Sequence, residues 1–365
     1  MNKKSIKLFI LFFVSISFYS CNGQLKSKHQ QSETKNVTFG KLVSKIDNQI
    51  WNIFQDSKGN YWFGSNGKGV FKYDNKIIKQ FTTKDGLISN QIRGIQEDIN
   101  GDIYFETPQG ISKYNGAKFT TLKVSVSPNN EWELNPNDLW FGYIDDLYRF
   151  DGELLYRLEL SKQDLKNVFG LAPEGESSSE NRNTNPYAIF GVNKDKAGHI
   201  WFGTESAGAF RYDGNSVLWI GEKELSILPD GRVPGVRSMI QDKNGHYWLS
   251  NFYHKYRIDP HLPKGYEKMK AVELPKEIAN DKLLYFNSGI ADQNGNLWMI
   301  LYDGGVWKYD GVFLSRFSLE NGGKDFFLIC IYEDKDGIIW LGTDNDGVYN
   351  LDGDKFEKWI IESSQ

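Results

Sequence analysis

Residues 56–69 read DSKGNYWFGSNGKG. An aspartate is followed three residues later by a glycine, three after that by a tryptophan, and then by a second glycine turn. Versions of the string recur at 98–110 (DINGDIYFETPQG), 195–208 (DKAGHIWFGTESAG), 292–305 (DQNGNLWMILYDGG) and 334–347 (DKDGIIWLGTDNDG). Aligning on the aromatic residue gives seven anchors: Trp62, Tyr104, Trp140, Trp201, Trp248, Trp298 and Trp340, spaced by 42, 36, 61, 47, 50 and 42 residues. A period near forty with internal alternation fits blades of four short strands.

The segments between anchors support this. NQIWNIFQD (48–56) and NQIRGIQED (90–98) share a register, with Ile50/Ile92 and Ile53/Ile95 as apolar positions, and read as the innermost strand. Asp-x-x-Gly is a tight turn in which the carboxylate binds turn amides and glycine supplies positive φ. The next strand carries the anchor. A glycine (Gly69, Gly110, Gly208, Gly305, Gly347) then leads to a third strand ending in KYD, KYN, RYD or KYD at 72–74, 113–115, 211–213 and 308–310. A fourth, such as VFLSRFSL (312–319), completes the blade. One large aromatic per blade is the expectation for sheets packed face to face, so the anchors read as scaffold. The predicted fold is all-β: a single seven-bladed β-propeller of four-stranded blades over residues 37–365. Both DKFEKWI (354–360) and VTFGKLV (37–43) read as outer strands at the seam.

Two repeats depart from the pattern. The third keeps only NPNDLWFGYIDDLYRFDG (135–152), without Asp-x-x-Gly, and is followed by a long surface loop at 161–185. The fifth has SNFYHKYRID (250–259) where its siblings have a glycine turn.

Composition agrees with a β-rich chain: 365 residues, 15% aromatic, 36 glycines against 10 prolines. The 43 basic and 47 acidic side chains form no long block of one sign, which argues against a nucleic-acid partner. At the N-terminus MNKKSIK precedes the apolar run LFILFFVSISFY (8–19), of signal-peptide length and short for a membrane span. Residues 1–20 are therefore read as a signal peptide, whose removal moves the formal charge from −4 to −7. Ser20-Cys21-Asn22-Gly23 resembles a bacterial lipoprotein cleavage site, which implies lipidation of Cys21. Residues 21–36 read as a flexible polar tether. No acidic cluster follows Cys21, so the expected location is the cell envelope, on the periplasmic side of the outer membrane. Cys330, in FFLICIY, reads as a small buried hydrophobe.

Segments such as TTKDGLISNQIRGIQEDINGDIYFETPQGISKYNG (82–116) resemble the two-component regulator propeller repeat, on the strength of the recurring DGL…N, D-x-x-G-x-W and G…YD elements. The resemblance spans about residues 40–360. It implies a periplasmic sensor-type propeller, often for an oligosaccharide, of the kind found in hybrid histidine kinases of Bacteroidetes-type bacteria. The chain has no kinase or receiver motif, so binding rather than signalling within one polypeptide is expected.

Catalytic motifs are scarce: no Walker sequence, no His-Glu-x-x-His, no Gly-x-Ser-x-Gly. EDKDG (333–337) and TDNDG (343–347) fall on blade turns and lack the spacing of a calcium loop, so no metal or cofactor is expected. His199 and His246 occupy the variable slot after the turn glycine and are expected to be solvated. Tyr253 and His254, in the odd loop of the fifth repeat, are read either as a sugar-contact pair, as the acid and base of a polysaccharide lyase, or as a degenerate loop. Eleven residues before the anchors stand Trp51, Arg93, Phe190, Arg237, Asn287 and Ile329; ten before stand the small Asn52, Gly94, Gly191, Ser238, Ser288 and Cys330. Scaffold positions repeat and contact positions diversify, which makes Trp51, Arg93, Phe190, Arg237 and Asn287, with Tyr253 and His254 added from the odd loop, the candidate ligand-binding set. The expected function is an envelope-anchored sensing or binding module for an oligosaccharide, linked to polysaccharide utilisation, with an envelope protein as a further possible partner. The alternatives are a polysaccharide lyase or hydrolase using the same face, and a protein-docking scaffold.

Overall fold

The computed structural model describes residues 39–126, 132–143, 146–166, 185–226, 233–273, 285–301, 305–319 and 327–360. The signal peptide, the tether with Cys21 and most of the 161–185 loop lie outside the described residues.

The first repeat shows how the motif folds. Its strands Ile50–Gln55, Tyr61–Ser65, Val70–Tyr73 and Ile78–Phe81 form an antiparallel meander in sequence order. The second, fourth, fifth and sixth repeats do the same, opening at Gly94, Ile189, Met239 and Phe286. At the first hairpin Asp56 Oδ1 accepts from the amides of Lys58 and Asn60, while Gly59 adopts φ +82°. Its other oxygen, Oδ2, accepts the indole N–H of Trp62 at 2.9 Å. The aspartate thus joins turn to anchor, and the same bond recurs for Tyr104–Asp98, Trp201–Asp195, Trp248–Asp242, Trp298–Asp292 and Trp340–Asp334. The spacing Asp-x-x-Gly-x-x-Trp is what this closed set of donors and acceptors demands.

Each core cluster lies between consecutive repeats. Trp62 packs with Ile92 and Phe105 of the second repeat, Tyr104 with Phe141 of the third, and Trp140 with Phe202 of the fourth. Trp201, Trp248 and Trp298 pack forward in the same way onto Tyr247, Phe286 and Leu341. Trp340 of the last repeat packs on Phe63 of the first. Burying an aromatic of this size contributes about 1.5–3 kcal/mol, so the stability of this chain resides in the sheet-to-sheet faces.

The seam resolves the two outer-strand readings, since both segments are used. The seventh repeat has its own fourth strand, Lys355–Lys358, which also pairs in parallel with Leu314–Leu319 of the sixth. Lys41–Val43 adds a fifth strand to the first sheet, antiparallel to Ile78–Phe81. Side chains hold first and last repeats together: Tyr61 Oη donates to Asp334 at 2.7 Å, the Gln55 amide to Tyr332 Oη at 3.0 Å, and the Lys335 amide to Gln55 Oε1 at 2.9 Å.

The third repeat differs in strand order. Among the described residues its innermost strand is the anchor strand itself, Leu139–Tyr143, followed by Asp146–Phe150 and Leu155–Leu158. The outer edge is supplied by Val124–Val126, parallel to Leu155–Leu158. Without the turn aspartate, the Trp140 indole N–H has no partner among the described residues. Asp138 is instead committed to Arg149, whose Nε lies 2.6 Å from it.

Candidate functional site at the inner end of the repeats

Four of the six aligned positions share one backbone device. Trp51, Phe190, Asn287 and Ile329 are each skipped in the pairing of first and second strands, where the register shifts between Ile50/Asn52, Ile189/Gly191, Phe286/Ser288 and Leu328/Cys330. A bulge frees its residue from the ladder and re-aims its side chain. The small residue that follows has a steric cause: a Cβ on Gly191 would sit 2.2 Å from the Arg237 carbonyl oxygen.

In the second and fifth repeats an arginine holds this place just ahead of the strand. The Arg93 amide donates to the Glu106 carbonyl at 2.8 Å, and the Arg237 amide to the Ser250 hydroxyl at 3.0 Å. Each guanidinium lies over the bulge aromatic of the preceding repeat: Arg93 is 4.3 Å from the Trp51 ring centre, Arg237 4.4 Å from that of Phe190. Neither forms an ion pair among the described residues, although Arg149, Arg157, Arg211 and Arg257 all do. Arg237 Nε donates to the Pro234 carbonyl at 3.0 Å. Two other arginines stack on rings, Arg149 at 5.7 Å over Tyr156 and Arg316 at 5.9 Å over Trp307. Desolvation lowers the pKa of Arg93; Glu106 opposes the shift and the charge of Arg237 adds to it. The two cations therefore share one electrostatic environment.

Glu106 was not among the expected site residues. It stands two residues after its anchor, where Gly64, Gly142, Gly203 and Gly342 follow theirs. At those glycines a Cβ would lie within 2.0–2.7 Å of the next repeat. Glu106 fits because the third repeat has no strand inside Leu139–Tyr143 among the described residues. The Gly142 backbone bonds its carboxyl group, and desolvation pushes the Glu106 pKa up to about 8 against the pull of Gly142 and Arg93. Its sequence signal is IYFE against YWFG and IWFG, a lone acid at a glycine position. Ser250 is the corresponding exception in the fifth repeat, at φ 52°. Polar departures from glycine thus stand beside both arginines.

Two further polar atoms are buried here without a hydrogen-bond partner: Trp51 Nε1 and Asn287 Oδ1. Asn287 Nδ2 donates to the Leu328 carbonyl at 3.1 Å, which fixes the amide with its oxygen free.

Tyr253 and His254 lie on the approach to the third strand of the fifth sheet, where Arg237 stands ahead of the first. His254 opens the strand His254–Ile258, and its Nδ1 is 3.8 Å from Glu224 on the short helix Lys223–Ser226. Desolvation lowers the His254 pKa and Glu222 opposes this. Tyr253 packs against the cluster of Trp248, Phe252 and Phe286. The turn histidines differ from expectation: both are folded back on the turn carboxylate, His199 at 3.2 Å from Asp195 and His246 at 3.5 Å from Asp242. Burial pushes the Cys330 thiol up to about 12, which suits a packing residue and not a nucleophile. Among the described residues no group of three or more His, Cys, Asp or Glu is placed to hold a metal, and no helix is long and apolar enough to cross a membrane.

A separate cavity of about 490 Å³ lies between the third and fourth repeats, lined by Trp132, Phe210, Tyr212 and Trp219 among others. Its polar groups are engaged: Tyr212 Oη donates to the Trp132 carbonyl and Trp219 Nε1 to that of Ala207.

Comparison with known proteins places the fold. The structure is similar to the extracellular domain assigned to the one component system BT4673 of B. thetaiotaomicron, with a TM-score of 0.56 at 21% identity, over 86% of this chain and 39% of that one. This chain thus spans about two fifths of that domain. It is also similar to a catalytically inactive virginiamycin B lyase from Staphylococcus aureus with quinupristin, with a TM-score of 0.55 at 13% identity, over 85% of this chain and 97% of that one. At these identities the likeness is one of fold. A search of the curated proteins gives no match. Residues 44–67 and 322–345, in the first and last repeats that meet at the seam, match the two component regulator propeller.

Proposed function

We propose that this chain is a sensor-type, ligand-binding propeller, a ring of seven blades over residues 37–365, which binds an oligosaccharide at the inner end of its repeats without cleaving it. The packing of Trp340 on Phe63 supports ring closure after seven repeats. The observation that carries the ligand reading is the pair Arg93 and Arg237, held over aromatic faces with no ion pair among the described residues. Aromatic faces stack on sugar rings, and guanidinium forks suit carboxylate or sulfate groups. With a mature chain of net negative charge, an acidic sugar depends on these local cations and not on the overall field.

The test is calorimetry of wild type, Arg93→Ala and Arg237→Ala with acidic and neutral oligosaccharides. Loss of one charge-assisted contact costs about 1–3 kcal/mol, so each variant binds the acidic series about 5- to 150-fold more weakly. Equal affinity in all three proteins removes the arginines from the site. Product formation by wild type favours the lyase or hydrolase alternative, with Tyr253 and His254 as the first residues to substitute.

Anchoring of this module in the envelope through lipidated Cys21, at the outer membrane, belongs to the same proposal and fits a role in polysaccharide utilisation. Cys21→Ala should leave the membrane fraction; unchanged partitioning counts against lipidation.

A further inference from the structure

One acidic side chain of the proposed site interacts with Arg93, and its placement is specific. Glu106 occupies a glycine position, in the space left by the third repeat, with its carboxyl over Gly94: a Cβ built there would lie 3.3 Å from Glu106 Oε2. Its polar partners are the Gly142 backbone, which bonds it, and the charge of Arg93, which in turn feels that of Arg237. Other charges on neighbouring strands are engaged elsewhere: Glu97 with Ser57, and Lys113 with Asp102 at 2.7 Å.

We infer that Glu106 is a ligand-contacting, specificity-determining residue of the inner site, which as a neutral acid donates a hydrogen bond while Arg93 supplies the charge, so that an anionic sugar binds the protonated form of the site. This rests on the proposed ligand reading and adds to it the protonation state of the receiving site. Two acids sharing one arginine cannot both be ionised at low cost in a partly desolvated site. The ligand is the stronger acid and Glu106 the desolvated one, so the proton resides on Glu106. The sign follows. Below about 8 Glu106 is neutral and Arg93 is available; as pH rises through that value Glu106 ionises, engages Arg93 and repels the anion. Affinity falls with rising pH.

The probe is tetragalacturonate, titrated calorimetrically between pH 6.5 and 9 into the full mature chain. Wild type is expected to lose about tenfold in affinity across that range, because roughly one molecule in ten keeps the proton one pH unit above its pKa. Glu106→Gln, still neutral and hydrogen-bonding, should bind with constant affinity; Glu106→Gly, the residue most repeats have here, should bind more weakly at pH 6.5 and equally show no pH dependence. A pH-independent wild type overturns the role of Glu106 and leaves the ligand proposal standing. A separate reading needs no ligand: ¹³C-carboxyl NMR of glutamate-labelled protein, with Glu106→Gln to assign the signal. A midpoint near 8 supports the inference, and one in the ordinary carboxylate range of about 4–5 overturns it whatever the probe does. Failure of tetragalacturonate to bind at any pH, with that midpoint near 8, counts against the ligand proposal and against Glu106 as a contact residue for an acidic sugar.

Discussion

The two ends of each repeat treat their polar atoms in opposite ways. At the turn end Asp56, Asp98, Asp195, Asp242, Asp292 and Asp334 each accept from an anchor side chain, and Oδ1 of each takes turn amides. In these six repeats the anchor's donor has its acceptor, so the residue types are fixed and the sequence repeats. At the inner end Arg93 and Arg237 rest on aromatic faces without an ion pair, and Trp51 Nε1 and Asn287 Oδ1 have no hydrogen-bond partner, among the described residues. Here the residues vary from repeat to repeat. Closed hydrogen-bonding sets produce repetition; open ones are free to diversify toward something outside the chain.

The largest effect should come from opening a closed set. Asp334 accepts from Trp340, from Tyr61 across the seam, and from the amides of Asp336 and Ile338. Asp334→Ala leaves several buried donors unsatisfied and should cost about 3–5 kcal/mol in denaturant unfolding. Asp98→Ala, which frees only Tyr104 and two turn amides, should cost visibly less. If both cost the same, the seam adds nothing to the aspartate's role.

A smaller effect is expected at the seam alone. Tyr61→Phe removes one hydrogen bond to a carboxylate while keeping the ring packed 5.1 Å from Trp340. Loss of about 1.5–3 kcal/mol is the expectation for such a bond. A change within 0.5 kcal/mol, by order of magnitude a solvated contact, would show that packing alone closes the ring.

The third repeat offers the finest discrimination. Trp201→Phe and Trp140→Phe remove similar buried area, yet only Trp201 has an indole N–H bonded to its turn aspartate. Trp201→Phe should be worse by about 1 kcal/mol. Equal losses would mean that the aspartate bond is structurally present and energetically idle.

Much of this was legible in the sequence because periodicity reports burial. Strand order, both turns of the repeat and the anchors' inter-sheet role followed from Asp-x-x-Gly-x-x-Trp. The diversified column of Trp51, Arg93, Phe190, Arg237 and Asn287 was legible too, though not the bulges that aim it, since a bulge depends on pairing between strands. Glu106 escaped notice because its meaning lies in a neighbour: only the altered strand order of the third repeat makes room for it. Tyr253 and His254 looked prominent as an unusual dipeptide, but a side chain's direction along a loop is not encoded by composition, and His254 faces Glu224.

The comparison between the two ends can be tested in one variant. In the absence of ligand Arg93→Ala should lose only about 1 kcal/mol, the worth of its stacking on Trp51, because its side chain makes no hydrogen bond or ion pair among the described residues. At an acidic oligosaccharide concentration of a hundred times Kd, wild type should gain about 2.7 kcal/mol, and the variant about half of that for a tenfold loss of affinity. A variant destabilised before any ligand is added by about 3 kcal/mol or more, as for a closed set, or one that gains as much as wild type, would contradict the division between a closed scaffold and an open inner site.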